Sequence, residues 1–190
     1  MNKIKFLSAI LVIFSLLFVG CKDEVYPKPK GLLSLKYDLP KYENVDSDCG
    51  FVFSKNKSAI LKKNFKNGIC GYVLTYPDLG ASIYLSHRKV NGDLFKLLKD
   101  AQNLTQEHVV KAEEIIPKSY SDSINNVSGM FYEVIGNAAS QSQFYVTDSI
   151  SNFLLGSLYF NVKPNYDSIY PAAKYLQNDM VNLMETTRWK

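Results

Sequence analysis

Beyond an apolar stretch at its N-terminus, the chain alternates between two hydrophobic periods. Leu33, Leu35 and Tyr37 fall on one side of a period-two segment, and Tyr72, Leu74 and Tyr76 repeat that spacing before Pro77-Asp78-Leu79-Gly80 signals a turn. Ala81 to His87 reads as the returning strand, so the stretch predicts a β-hairpin. The period then changes. Leu94, Leu97, Leu98, Ala101, Leu104, His108, Ala112 and Ile115 recur at three and four residues, with Asn91 or Asp93 placed to cap the start and Pro117 just past the end. That spacing predicts an amphipathic helix over 94–115. Val127 to Ile135, Gln143 to Thr147 and Phe153 to Val162 are further strand candidates. Ser168 to Thr187 predicts a second helix presenting Ile169, Ala172, Ala173, Leu176, Met180, Leu183 and Met184 on one side.

Strands, helix, strands, helix is an α+β order without strict βαβ alternation. It predicts a mostly antiparallel sheet flanked by two main helices. There is no internal repeat, and residues 32–190 are of a size for a single α+β domain.

The N-terminus is organised differently. Lys3 and Lys5 precede an apolar run from Phe6 to Phe18 that is broken only by serines, and Val19-Gly20-Cys21 follows. This is the three-part layout of a secretory signal over residues 1–20, with small Gly20 before a cysteine that can be acylated. The run is too short to span a bilayer core comfortably, which takes about 20 residues; the alternative is an uncleaved membrane helix with an incidental cysteine. Cys21 is therefore the candidate lipidation site. Its acyl chains would hold the chain to a membrane without a transmembrane helix. Residues 21–31 are charged and contain two prolines, as expected of an extended tether. Lys22-Asp23-Glu24 resembles the lysine-plus-acids tag that sends some Bacteroidetes lipoproteins to the outer face of the outer membrane, so the expected location is the cell envelope, outer membrane rather than inner.

Composition narrows the partners. The first 20 residues carry two lysines and no acids, so 22 basic and 18 acidic side chains become 20 against 18 in the rest. So small a net charge gives no nucleic-acid footprint. With Cys21 acylated, Cys49 and Cys70 remain in an exported chain, and an even pair there reads as a candidate disulfide; two separately buried thiols are the alternative. Neither lies in a Cys-x-x-Cys pair or near a histidine in sequence, so no metal site is expected.

Candidates for acid–base chemistry are few. His87 ends a strand, and His108 sits on the apolar side of the first helix, where a lone histidine is usually a hydrogen-bonded core residue. Glu113 and Glu114 point to different sides of that helix. No phosphate loop or cofactor motif occurs, and no enzymatic role or cofactor is expected. Gly136-Asn137-Ala138-Ala139-Ser140-Gln141 is a small-residue connection between two strands, and it leaves backbone open to a partner. These six residues are the candidate partner-binding site.

The segment Met130 to Ser140, then Gln143 to Ser149, resembles the signature stretch of the gliding motility lipoprotein GldD family of Bacteroidetes. So do Leu158 to Ser168, Asp179-Met180 and Trp189-Lys190, with Tyr76-Pro77, Ile83-Tyr84-Leu85 and His108 to Ala112 upstream. The resemblance implies a component of the gliding machinery, which in that phylum is bound up with type IX protein secretion. It also implies partners among other gliding and secretion envelope proteins. The element order is similar to the Mog1/PsbP-like α/β/α sandwich. A small-ligand-binding envelope lipoprotein, with tyrosines and phenylalanines lining a pocket, is the other functional class. Labelling cells with a fatty-acid analogue should mark the wild-type chain and not Cys21→Ala, which should accumulate uncleaved; a labelled variant would refute the assignment.

Overall fold

The computed structural model describes residues 35, 37–66, 68–106, 111–162 and 165–190. All of them belong to one compact unit, Leu32–Lys190. Cys21, the signal, the tether, Leu33 and His108 lie outside the described residues.

The strands are β1 (Tyr42–Asp46), β2 (Phe51–Asn56), β3 (Ile60–Lys66), β4 (Ile69–Tyr76), β5 (Ala81–Lys89), β6 (Ala112–Asp122), β7 (Val127–Gly136), β8 (Ser140–Thr147), β9 (Asn152–Phe160) and β10 (Arg188–Trp189). Helix α1 (Leu94–Gln106) follows β5, and α2 (Tyr166–Thr186) precedes β10. Seven strands form one sheet in the order β3-β4-β5-β9-β8-β7-β6, and β1-β2-β10 form a smaller one; every pairing is antiparallel. The chain is thus α+β. It runs β3-β4-β5 as a meander, crosses through α1 to the far edge at β6, and returns strand by strand until β9 closes against β5.

Alternation decides what each face carries. Tyr72, Leu74 and Tyr76 of β4, Ala81, Ile83 and Leu85 of β5, Phe144 and Val146 of β8, and Leu154 and Leu158 of β9 are buried together on one side. Leu176, Met180, Leu183 and Met184 of α2 cover them, at the three-and-four spacing a helix needs. Phe51 and Phe53 of β2 complete that core. On the opposite face α1 sets Leu97 and Ala101 over Phe153, with Tyr145 and Leu155 packed around them. Gly156 makes the main core possible, because a Cβ there would fall 2.3 Å from the ring of Phe144.

Two sequence expectations are corrected. The first helix ends at Gln106, and Ala112 and Ile115 belong to β6. Paired Ile115-Ile116 favours a strand, and Pro117, which lacks an N–H, is tolerated because β6 is the outermost strand of its sheet. Leu35 and Tyr37 lie in no strand. The helix ends earlier than periodicity implied because Ala112 and Ile115 satisfy both a helical spacing and a strand pairing.

A bond between Cys49 and Cys70, with Cα atoms 5.5 Å apart, ties the turn after β1 to the start of β4. The chain-entropy model assigns a loop of this length roughly 3 kcal/mol.

Asp179 of α2 is almost wholly buried, 1% exposed, beneath three other elements. Tyr42 of β1 donates to its Oδ1 at 2.8 Å, while Tyr76 of β4 and Asn56 of β2 donate to Oδ2 at 2.9 and 3.0 Å. Burial, then the hydrogen bond and charge of Asp179, raise both tyrosine hydroxyls well above their ordinary value. Asp179→Ala strands these buried donors at roughly 1–3 kcal/mol each and should lower stability by about 3 kcal/mol or more in denaturant titration. The pH dependence follows from the same groups. Unfolded tyrosines ionise near pH 10 and the folded pair does not, so the stabilisation is complete below about pH 10 and is lost as pH rises beyond it. Tyrosinate absorbance of Tyr42 and Tyr76 should therefore appear together with alkaline unfolding, not ahead of it.

Candidate functional site

The six-residue connection singled out in the sequence joins β7 to β8 at the tip of a hairpin. Its first residue has φ +107°, and a Cβ on Gly136 would lie 2.7 Å from the backbone nitrogen of Glu113, so only glycine fits there. Asn137 and Ala139 are exposed; Gly136, Ala138, Ser140 and Gln141 are buried. Gln141 is a correction to the expected surface, since only 1% of it is accessible. Its amide nitrogen donates to the carbonyl of Ala138 at 2.9 Å and reaches that of Gly136 at 3.4 Å. The reason is local: an internal side-chain donor serves the carbonyls of a short chain reversal. Asn137, though exposed, also has a structural task. Its Oδ1 accepts the N–H of Tyr166 at 2.8 Å, satisfying one of the unpaired donors at the start of α2.

Beside this tip the sheet opens into a cleft. Ala112 pairs with Gly136, and from there Ala112, Glu113, Glu114, Ile115 and Pro117 form one wall of a cavity of about 400 Å³. Gln102 and Gln106 on the last turns of α1 form the other wall, and Met130 and Tyr132 of β7 form the floor. The floor continues beneath α1 as a run of rings, Tyr132 to Tyr145 at 6.5 Å and Tyr145 to Phe153 at 5.5 Å. The arrangement is an apolar floor between amide and carboxylate rims. Sequence reasoning placed Glu113, Glu114 and Ile115 on a helix and so missed this wall. The signal available was Pro117, read as a stop and not as an edge-strand residue.

Across the hairpin, on the α2 side, Glu133 is 6% exposed and carries two lysine partners, Lys118 at 2.9 Å and Lys174. Burial alone would raise its carboxyl, but the two ammonium groups outweigh burial and hold it below its ordinary value. This pairing fixes α2 against β7 and leaves Glu133 ionised.

His87, read from the sequence as ending a strand, is buried, 5% exposed. It sits between the rings of Phe51 at 5.5 Å and Trp189 at 6.1 Å. It lies on β5, an inner strand of the large sheet, and the small sheet covers it with Phe51 of β2 and Trp189 of β10. Burial depresses the imidazole pKa, and the contact of Nε2 with Asn152 Oδ1 at 3.0 Å opposes that only in part. The ring is therefore neutral near pH 7. Among the described residues no group of three or more His, Cys, Asp and Glu side chains could hold a metal ion. A smaller recess of about 180 Å³ lies between Tyr37, Tyr76, Tyr175, Pro77 and Leu79.

Residues 22–189 match the family described as gliding motility lipoprotein GldD, and the chain belongs to that family. No curated protein and no solved structure matches it.

The two exposed loop residues should separate in a stability assay. Asn137→Ala removes the acceptor for Tyr166 and should cost about 1 kcal/mol, as loss of a helix-terminal acceptor does. Ala139→Arg should stay within about 0.5 kcal/mol of wild type; denaturant midpoints check both.

Proposed function

We propose that this gliding motility lipoprotein works by protein–protein contact, docking another envelope protein in the cleft between α1 and the β6–β7 hairpin, in connection with type IX secretion. Family membership supplies the setting: a membrane-anchored component of the cell envelope that serves gliding. The cleft carries the reading of how it serves. Its apolar floor of Met130 and Tyr132 between the rims of Gln102, Gln106, Glu113 and Glu114 matches the anatomy of a recognition surface, an apolar centre with a polar border. Exposed Ala139 extends that surface onto the hairpin tip. The tag Lys22-Asp23-Glu24 supports placement on the outer membrane.

Size argues against the tyrosine recess as a small-ligand site. The aromatic recess at Tyr37, Tyr76 and Tyr175 has about 180 Å³, below the 300–1,000 Å³ usual for small-molecule sites. Its deepest ring, Tyr76, is already committed to Asp179.

Exposed rim residues allow a test that spares the fold. Gln102→Arg combined with Glu114→Arg should leave export, membrane attachment and thermal stability unchanged and should abolish gliding and secretion. His87→Gln should glide. A folded rim variant that glides normally, alongside an immotile folded His87→Gln, would contradict the contact reading and favour a chemical role.

A further inference from the structure

We infer that β3 and the β3–β4 hairpin tip form a docking face for an anionic lipid surface, which lays the domain against the membrane that holds it. The strand Ile60–Lys66 is the outermost of the large sheet, and apart from half-buried Leu61 every residue in it is exposed. It carries Lys62, Lys63 and Lys66 and no carboxylate. Leu61 packs against the core, but its other two apolar side chains stay outside: Ile60 is 60% and Phe65 68% exposed. Next to Phe65 an open cleft of about 680 Å³ adds Arg88 and Lys89 to the same end. Asp48 at this end pairs with Lys63 at 2.8 Å, and Asp100 of α1 shares a neighbouring recess with Arg88; among the described residues Lys62, Lys66 and Arg88 form no ion pair. Asp46 is paired with Lys190, and Asp38 and Asp78 lie at the other end of the strand, around Ser58. Alternation sets Phe65 on one face of the strand and Lys62 and Lys66 on the other, so a membrane met by the strand edge-on receives the ring in its headgroup layer while the lysines reach lipid phosphates.

The length of chain ahead of the fold permits it. The inference rests on Cys21 being the lipid-bearing residue. Sixteen positions separate Cys21 from Tyr37, and an extended chain of that length reaches about 55 Å. Tyr37 lies beside Tyr76 and Asp78, at the end of β4 far from the tip, and β3 is only about 23 Å long. The tip can therefore touch the anchoring membrane. A protein strand added to this edge is the competing occupant. Lysines along an edge strand discourage such pairing, and pairing through backbone groups gives no role to Arg88 or to the exposed ring of Phe65.

The test uses the full lipidated chain in vesicles of phosphatidylcholine and, separately, of an equimolar mixture with phosphatidylglycerol. Flotation with the vesicles confirms the anchor, so loss of the Cys21 premise is told apart from loss of docking. Lysines are acetylated with a water-soluble ester and read by mass spectrometry, with Lys96 and Lys99 on the exposed side of α1 as internal references. Lys62 and Lys66 should react at least about fivefold more slowly, relative to those references, in the anionic vesicles, and the protection should vanish near 1 M salt, where charges are screened within about 3 Å. A Phe65→Ser variant, exposed and therefore foldable, should lose part of the protection. Equal labelling in both vesicles would overturn the inference. So would protection that appears only in whole cell envelopes, which would assign the edge to a protein.

Discussion

One buried carboxylate sets the position of the long C-terminal helix. A charge as enclosed as Asp179 is tolerated only when its oxygens are hydrogen-bonded, and here the donors come from β1, β2 and β4, residues 137, 123 and 103 positions away. Because all of them must converge on one side chain, α2 cannot slide or turn along the sheet without stranding a buried hydroxyl or amide. Apolar packing by Leu176, Met180 and Leu183 supplies most of the burial, but apolar contact alone would accept several registers. Two further contacts fix the other end of α2: Asn137 meets its first N–H, and Lys174 meets Glu133.

The consequence for function lies in what is left uncovered. With α2 and the small sheet on one face, among the described residues the opposite face is covered by α1, over Phe153, Leu155 and Tyr145. Among the described residues, Met130 and Tyr132 floor a cleft beside the last turns of α1, and β6, an edge strand with little apolar burial of its own, walls it. The cleft thus follows from a short helix crossing a wide sheet.

Much of the fold was legible because burial imposes period. The β4–β5 hairpin, β7, β8, β9 and α2 each bury one side, and their alternation or three-and-four spacing could be read directly from Leu74, Ile83, Phe144, Leu158 and Met180. The strands that escaped notice are β1, β3 and β6, which are largely exposed, and β10, only two half-buried residues long; all are held by backbone pairing to a neighbour that a sequence pattern does not display. Asp179 was quoted as part of the family-like Asp179-Met180, but its role was hidden for a related reason: its donors are scattered in sequence and converge only in space. Gln141 misled through chemistry. An amide in a small-residue loop looks available to a partner, yet the loop's own carbonyls claim it. The resemblance carried by Met130 to Ser149 reached the family independently of these elements.

The central claim is that the cleft beside α1, and not the smaller tyrosine recess, meets the rest of the machinery. Site-specific photocrosslinking in gliding cells tests it most directly. A crosslinker at Gln102, on the rim of the cleft, should give a discrete adduct with another envelope protein, while one at Lys99, exposed on the same helix outside the cleft, should give none. Equal adducts from both positions, or none from Gln102 in cells that glide, would contradict the account.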